Sequence, residues 1–457
     1  MIDPITQLER VVRRTQADAR VPAISVALHR ADRPLWTFQL GDTGNDTPLD
    51  ADTQFRIGSI TKTFTAVLLM QCRDDGLLDL DDPIGAHLDV PAHGDITVRR
   101  LLSHTAGLQR EPHGDVWDTL RPPGVGELIA DLARAERVLP PARRYHYSNL
   151  GMALLGHAVG RLRGGTWGEV LASRILEPLG LSATTELPGS RAATGYLVDA
   201  YSDHARPEPA TDVSAVAPAA QLWSTAADLA RWAAFLADPA AVDPAGAVLA
   251  AATLDEMRWP RTVTDEAHWL AGFGLGLILV PQPSRVVHVG HDGAMPGFLA
   301  AAYGRRGGAG TPAAMACAVL GSSGTAEATF ELPHELLGRA VELDPAEAAP
   351  WRIGEPAPEA YRSVLGPWWG EGFEHVFAWR SGRLESRAVG MPADGPPSVF
   401  VPEPGEVDVL RTVSGREAGE ILRLTRDPDG RVTLIHWATY RFTRAQETFE
   451  GISPGDP

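Results

Sequence analysis

Phe55-Arg56-Ile57-Gly58-Ser59-Ile60-Thr61-Lys62-Thr63-Phe64 sets a serine and a lysine three residues apart, ahead of an apolar run through Leu68, Leu69 and Met70. On a helix, side chains at this spacing are neighbours, with Cβ atoms about 5–6 Å apart. A lysine held there can take the serine proton if it is neutral. That requires its pKa to fall well below the free value of about 10.4, through burial or nearby positive charge. A serine at a helix N-terminus also gains from the backbone N–H groups of the first turn. The competing reading makes Ser59 an N-cap and Lys62 a solvated surface residue. S-x-x-K by itself does not separate the two.

Two further stretches bear on the choice. Tyr145-His146-Tyr147-Ser148-Asn149 leads into a helical pattern from Leu150. Tyr147 and Asn149, two apart in a non-helical lead-in, can face one cleft. A tyrosine relays a proton where positive neighbours stabilise its phenolate, and asparagine offers both a donor and an acceptor. Alone, the pair reads as a packed aromatic and an N-cap asparagine. Farther on stands His288-Val289-Gly290-His291-Asp292-Gly293-Ala294-Met295-Pro296-Gly297-Phe298. Here His291-Asp292-Gly293 opens a strand, and glycine lets a backbone pass close to a ligand. The Ala294 N–H is then available to a developing oxyanion; losing such a donor typically costs roughly 2.7–4 kcal/mol of barrier. His291 alone would read as a hydrogen-bonded structural histidine.

Around these stretches, residues 1–20 form an amphipathic pattern with Ile5, Leu8 and Val12 on one face, stopped by Pro22. Short strands are expected at 23–28 and 35–38. Helices are expected near 59–75, 126–138, 149–163, 166–176, 225–237 and 331–342. Thr225-x-x-Asp228 reads as a capping box. Strands with Gly-rich turns are expected at 269–280, 285–291, 297–304 and 313–321. Helices clustered mid-chain with strands at both ends indicate an α/β or α+β layer, not alternating βαβ units. This gives a catalytic domain over 1–342 and a Pro/Ala/Glu-rich linker over 343–359. Residues 360–457 read as a small all-β barrel or sandwich of short alternating runs at 373–379, 383–388, 407–410, 420–425, 432–438 and 440–443, with turns at Ser381-Gly382 and Asp429-Gly430.

Composition narrows the function classes. Of 457 residues, 44% are hydrophobic and 22% charged, which excludes disorder of the whole chain. Asp plus Glu is 58 against 41 Lys plus Arg, a net charge of -17. That balance argues against nucleic acid and anionic membrane surfaces as partners. Cys72 and Cys317 lie in apolar runs and read as buried reduced thiols. The 14 histidines form no HExxH spacing, so neither a metal nor another cofactor is expected. The N-terminus lacks the apolar core of a secretory signal, and no run reaches the roughly 18 apolar residues of a membrane span. A cytoplasmic location is expected.

Taken in order, S-x-x-K at Ser59, L-S-H-T-A-G-L at Leu102–Leu108, Y-x-N at Tyr147 and H-x-G at His291 resemble the serine β-lactamase, penicillin-binding-protein and D,D-peptidase superfamily. The resemblance covers about residues 5–340. It is nearest to the class C-like branch, which includes esterases, D-aminopeptidases and penicillin-binding-protein-type thioesterases. It implies a β-lactamase-like antiparallel sheet flanked by helices with an all-helical lobe, and a C-terminal lipocalin-like β-barrel domain. Ser59 resembles the acylated nucleophile, Lys62 its base partner and Tyr147 the second proton-transfer residue. His291 and Gly293 resemble the third catalytic element, and Asn149 the substrate-amide contact. Ser59 and Ala294 N–H groups would form the oxyanion hole. Ser103 and His104 fall in a segment that is structural in the family, here a loop buttress.

Two positions depart from the family. Asp292 stands where a Ser or Thr hydroxyl is common, and a carboxylate there would repel a substrate carboxylate. Ala220-Gln221 stand where a Gly pair is frequent. Arg441 and Arg444, at the last expected strand, are candidates to reach a substrate carbonyl or carboxylate. The resemblance implies an acyl-enzyme serine hydrolase or acyltransferase on peptide thioesters, esters or amides. The first expectation is a thioesterase that hydrolyses or cyclises a D-residue-containing peptide, with a carrier protein presenting the thioester. Esterase or D-aminopeptidase, β-lactamase and a non-catalytic sensor follow in that order. Oligomeric state is left open.

Overall fold

A computed structural model describes residues 3–142, 144–283, 286–307, 314–347, 350–391 and 397–446. It divides into two compact units, Met1–Glu347 and Ala348–Pro457. In the first, α1 (Pro4–Asp18) starts where the Asp3 carboxylate accepts the Thr6 N–H. Leu8 and Val12 are buried, while Ile5 stays exposed. The other principal helices are α2 (Thr61–Asp74), α3 (Asn149–Arg163), α4 (Ala226–Ala237) and α5 (Ala328–Leu343).

The sheet is built from β1 (Ala23–Arg30), β2 (Trp36–Gly41), β3 (Thr262–Val263), β4 (Gly272–Phe273), β5 (Ile278–Pro281), β6 (Val287–Met295), β7 (Phe298–Arg306) and β8 (Ala314–Gly321). Its order is β2-β1-β8-β7-β6-β5-β4-β3, antiparallel throughout. This is the antiparallel sheet with flanking helices that the motifs implied. Alternation along the strands splits the core in two. Ile24, Val26, Leu28, Tyr303, Met315 and Val319 join the cluster containing Leu8, Val12 and the α5 leucines. On the other face, Ala23, Ala27, Ala300, Ala302, Ala316 and Ala318 join the larger cluster of the helical lobe. Small residues there let α4 lie close: a Cβ on Gly304 would stand 2.3 Å from the Ala233 carbonyl.

Local chemistry corrects several boundaries. The run at 269–280 is two strands, because Gly274 folds back to bond the Leu277 carbonyl and Gly276 takes φ +76°. The helix expected over 126–138 stops early, with a 3-10 turn at Leu132–Arg134. Thr225 caps α4 by accepting the Asp228 N–H, but the Asp228 carboxylate accepts from Ala183 N–H and the Thr184 hydroxyl. The reciprocal half of the capping box is therefore absent.

α2 is buried from Thr61 to Cys72, as expected of a helix surrounded by others. Three threonines fasten it. Thr61 Oγ1 accepts the Leu222 N–H, Thr63 Oγ1 accepts the Trp232 indole N–H at 2.7 Å, and Thr65 Oγ1 accepts that of Trp167 at 3.0 Å. Trp232 also stacks on Phe64 with ring centroids 4.0 Å apart. The turn that carries Ser59 is thus anchored on a helix that cannot tilt without unsatisfying buried donors. Both cysteines are buried and free.

Under α5, His288 Nδ1 lies 2.7 Å from His334 Nδ1. Burial first, then the charges of His334 and Arg305, push His288 down to about 3; burial pushes His334 down to about 4. Folding therefore excludes protons that the unfolded rings bind below their ordinary 6.5, so these two groups withdraw stability as pH falls from about 6.5 toward 4. Asp292, raised to about 7, opposes them with one proton. We expect a lower urea midpoint at pH 5 than at pH 7, and a smaller difference in His334→Phe. Equal differences in the two proteins would sink this account.

The second unit is an eight-stranded antiparallel barrel in sequential order: β9 (Gly366–Gly370), β10 (Phe373–Arg380), β11 (Arg383–Ala388), β12 (Ser398–Pro402), β13 (Val409–Ser414), β14 (Ile421–Arg426), β15 (Val432–Trp437) and β16 (Tyr440–Phe442). Reciprocal Trp369–Thr443 backbone bonds of 2.7 and 2.9 Å nearly close it. Trp368, Phe377, Phe400, Leu410, Leu422, Ile435 and Phe442 are among its core side chains. β9 and β12 were missed because their Gly and Pro content reads as turn. Arg444 does not reach out: its guanidinium donates to the carbonyls of Ser363, Leu365 and Pro367 and covers the Trp368 ring.

Candidate active site

Phe55–Arg56 pairs with Trp223–Ser224, and the Ile57 N–H donates to Leu222 O at 2.9 Å. The chain then turns through Gly58, at φ +50°, into a 3-10 turn at Gly58–Ile60 and on into α2. Glycine is required at 58 twice over. An L side chain disfavours that φ, and a Cβ would stand 2.7 Å from Ala294 N. Gly293 meets the same turn from β6, where a Cβ would lie only 1.9 Å from Ile57 O. β5 pairs with Val287–Gly290 alone, so the β6 edge beyond Gly290 is where the Ser59 turn approaches.

Lys62 is wholly buried, with Nζ 2.9 Å from Ser59 Oγ and 2.8 Å from the Ala219 carbonyl. Burial drives its pKa well below 10.5; Glu111 opposes this and Arg110 adds to it. The solvated-lysine reading is thereby overturned. Nζ also lies 4.6 Å from the Tyr147 ring centroid. The Tyr147 phenol is hydrogen-bonded to Ser59, yet burial raises it above its ordinary 10. Burial thus favours the uncharged form of both the amine and the phenol, and of the two only the amine can accept a proton readily.

Ser148, not Asn149, caps α3, accepting the Gly151 N–H at 3.0 Å. This leaves Asn149 Nδ2 to donate to Glu111 Oε1 at 2.6 Å, while Asn149 Oδ1 is buried without a protein partner. His291 Nδ1 lies 2.5 Å from the Asp292 carbonyl, which only accepts, so Nδ1 carries the hydrogen and Nε2 is a lone pair. That Nε2 is also buried and unpartnered. Burial first, then Lys62, pushes His291 down to about 3. Its ring centroid stands 6.1 Å from that of Tyr147.

The structure thus gathers Ser59, Lys62, Tyr147, Asn149, His291, Gly293 and Ala294. Asp292 is a correction. Successive strand residues face opposite ways, and its carboxylate is hydrogen-bonded to Tyr303 in the α1/α5 cluster. Burial, above all, raises it to about 7. It does not stand beside His291, so the expected repulsion of a substrate carboxylate has no basis. Arg441 lies exposed on β16 of the barrel unit, opposite His436. Sequence reasoning missed Arg110 and Glu111. The Arg110 carbonyl accepts the Asn149 and Leu150 N–H groups, its guanidinium lies 4.8 Å from the Tyr147 centroid, and Glu111 follows. The available signal was a charged pair closely following L-S-H-T-A-G-L. Among the described residues no three His, Cys, Asp or Glu converge as a metal site, and no helix is long and apolar enough to cross a membrane.

Comparison with known proteins bears on the family and the fold. Residues 8–330 match the family model described as Beta-lactamase, and 357–444 match a domain of unknown function, DUF7586. Penicillin-binding protein 4 of Amycolatopsis lactamdurans is 31% identical, over 65% of this chain and 79% of its own. Unguisins hydrolase ungD' of Aspergillus campestris is 30% identical, over 65% of this chain and 58% of its own. The chain spans from 34% to 79% of the first curated relatives it matches. The crystal structure of SurE, also solved with D-Leu, is 25% identical, with a TM-score of 0.60 over 97% of this chain and 99% of that one.

Proposed function

Since the chain belongs to the beta-lactamase family of serine hydrolases, we propose that Ser59, Lys62 and Tyr147 form an acyl-enzyme centre for peptide thioesters, esters or amides. The observation that carries this is the buried Lys62 amine 2.9 Å from Ser59 Oγ. Lys62 takes the Ser59 proton as Oγ bonds to the carbonyl carbon. The oxyanion is held between the Ser59 and Ala294 N–H groups. The proton passes from Lys62 through Tyr147 to the leaving group as its bond to carbon breaks, with the His291 Nε2 lone pair helping to orient the donor. Water, or an amine of the acyl chain itself, then attacks the ester and returns the enzyme to its starting state. General acid–base help of this kind is worth roughly 10²–10⁴-fold.

On substrate, the full-length likeness to SurE and the 30% identity to a hydrolase named for unguisins support a peptide acyl group, with a D-residue at the acyl end. Release is by cyclisation or hydrolysis. A carrier-bound peptide is made inside the cell, so a cytoplasmic location goes with this reading. A second reading is favoured by Glu111. A carboxylate bonded to the Asn149 amide suits an acyl group with a free ammonium beside the scissile carbonyl, as in a D-aminopeptidase.

Two probes separate the readings: the N-acetylcysteamine thioester of an N-acetylated peptide ending in D-Leu, and D-alanine p-nitroanilide. Turnover of the thioester supports the first reading, with cyclic product requiring an unblocked peptide. Turnover of the anilide supports the second, and Glu111→Gln then lowers its kcat/KM by roughly 10–100-fold, the worth of one charge-assisted hydrogen bond. Turnover of neither by wild type, with no loss of p-nitrophenyl acetate hydrolysis in Ser59→Ala, would overturn the proposed centre.

A further inference from the structure

His104 is buried at 1% exposure and sits at φ +55°, a conformation uncommon for a residue with a side chain. It closes the turn after a short helix at Val98–Leu102. Its neighbours fix that turn: Ser103 Oγ donates to Arg99 O at 2.8 Å and lies 2.9 Å from Thr105 Oγ1. Set there, His104 reaches the segment bearing Tyr147 three times. Its carbonyl accepts the His146 N–H at 2.8 Å. Its Nδ1 accepts the Ser148 N–H at 3.2 Å. Its ring lies 4.5 Å from the Tyr147 ring, centroid to centroid, tilted by 37°. The peptide is thus held immediately before and immediately after the phenol, and the phenol itself is covered.

The contacts also fix the tautomer. A backbone N–H can only donate, so Nδ1 is a lone pair and the neutral ring carries its hydrogen on Nε2. A proton on Nδ1 would set two donors against each other. Burial, above all, pushes the ring's pKa well below 6.5, and the nearby Arg110 guanidinium adds to it. Nε2 is buried with no protein partner. His291 has the opposite tautomer, so the two rings flanking Tyr147 present one N–H and one lone pair.

We propose that His104 is the positioning residue for Tyr147, gripping the backbone on both sides of it and bracing its ring so that the phenol stays bonded to Ser59. This rests on the reading of Tyr147 as the proton-transfer residue. It gives the L-S-H-T-A-G-L segment a task beyond that of a loop buttress. Nothing is transferred to or from His104 itself.

The test uses the full chain and p-nitrophenyl acetate as probe. His104→Phe keeps a ring but removes the acceptor. It should lower kcat roughly 30–100-fold with KM within about twofold. His104→Asn tolerates a left-handed backbone and can offer Oδ1 where Nδ1 stood. It should come within about fivefold of wild type, while His104→Gln, with its carbonyl one carbon farther out, should not. In a Tyr147→Phe background, His104→Phe should cost less than about twofold more, because the group it positions is already gone. Full multiplication of the two losses would overturn the proposal, as would wild-type kcat in His104→Phe or a Gln variant equal to the Asn variant. Wild-type kcat in Tyr147→Phe would instead overturn the reading of Tyr147. If His104→Phe does not fold, the Asn–Gln comparison decides alone.

Discussion

Lys62→Met is expected to abolish turnover and to make the folded protein more stable at neutral pH. Losing the base that accepts the Ser59 proton should cost about 10³–10⁴ in kcat, the upper range for general base catalysis. The stability gain follows from linkage. Lys62 is wholly buried and its folded pKa lies well below 10.5. Between those two values the unfolded chain binds a proton that the folded chain does not, so wild-type stability rises with pH up to about 10.5 and is reduced at pH 7. Each pKa unit of depression corresponds to about 1.4 kcal/mol. Methionine has similar length and no charge to desolvate. The loss on the other side is the bond to Ala219 O, about 1 kcal/mol. We expect the thermal midpoint to rise by roughly 2–4 °C at pH 7, and the rise to shrink at pH 9.5. A variant less stable than wild type at pH 7, with an undiminished dependence on pH, would mean that Lys62 is an ordinary ammonium and cannot be the base.

How much of this was legible in sequence depends on whether a residue's role is local or set by distant chain. Ser59 and Lys62 share one helical turn, so their spacing carried the relation directly. The sheet was legible because its strands are short apolar runs between glycine turns, and the missed strands β9 and β12 are those whose Gly and Pro also spell turns. Asp292 was read with its neighbours as one motif. Yet the period of two along a strand places it opposite His291 and Gly293, where its carboxylate meets Tyr303. Glu111 offers only its place in a charged pair after L-S-H-T-A-G-L, which does not name its partner. Its relation to Asn149 exists only because the Arg110 carbonyl accepts the first N–H groups of α3, a tertiary contact that no local pattern encodes. His104 was visible as part of a motif, but its grip on either side of Tyr147 spans more than forty residues of chain.

Gly293→Ala is expected to lower kcat/KM by about 10²–10³ while changing one hydrogen into one methyl group. A Cβ at this position would stand 1.9 Å from Ile57 O and 2.8 Å from Ile57 C. The obstacle is backbone, so no side-chain rotation relieves it. Neither partner yields easily. Ile57 is held by its N–H bond to Leu222 O, and β6 is held in register by β7 through Gly293↔Ala300 and Ala294↔Leu299. Relief therefore requires the Ser59 turn and β6 to separate by about 1 Å, the displacement at which positioned catalysis already loses about 10²-fold. Those two segments carry the N–H groups assigned to the oxyanion, and misplacing one such donor costs about 10²–10³ in kcat. Overpacking should also lower stability by about 1–3 kcal/mol. Gly338→Ala provides the contrast: in α5, with nothing within 4 Å of the added carbon, it should stabilise by about 0.5–1 kcal/mol with unchanged kinetics. Phosphonate labelling of Ser59, followed by intact mass, reads the oxyanion arrangement without a substrate, and it should slow in Gly293→Ala by the same factor as turnover. Wild-type labelling in a folded Gly293→Ala protein would show that the β6 edge contributes nothing to the transition state.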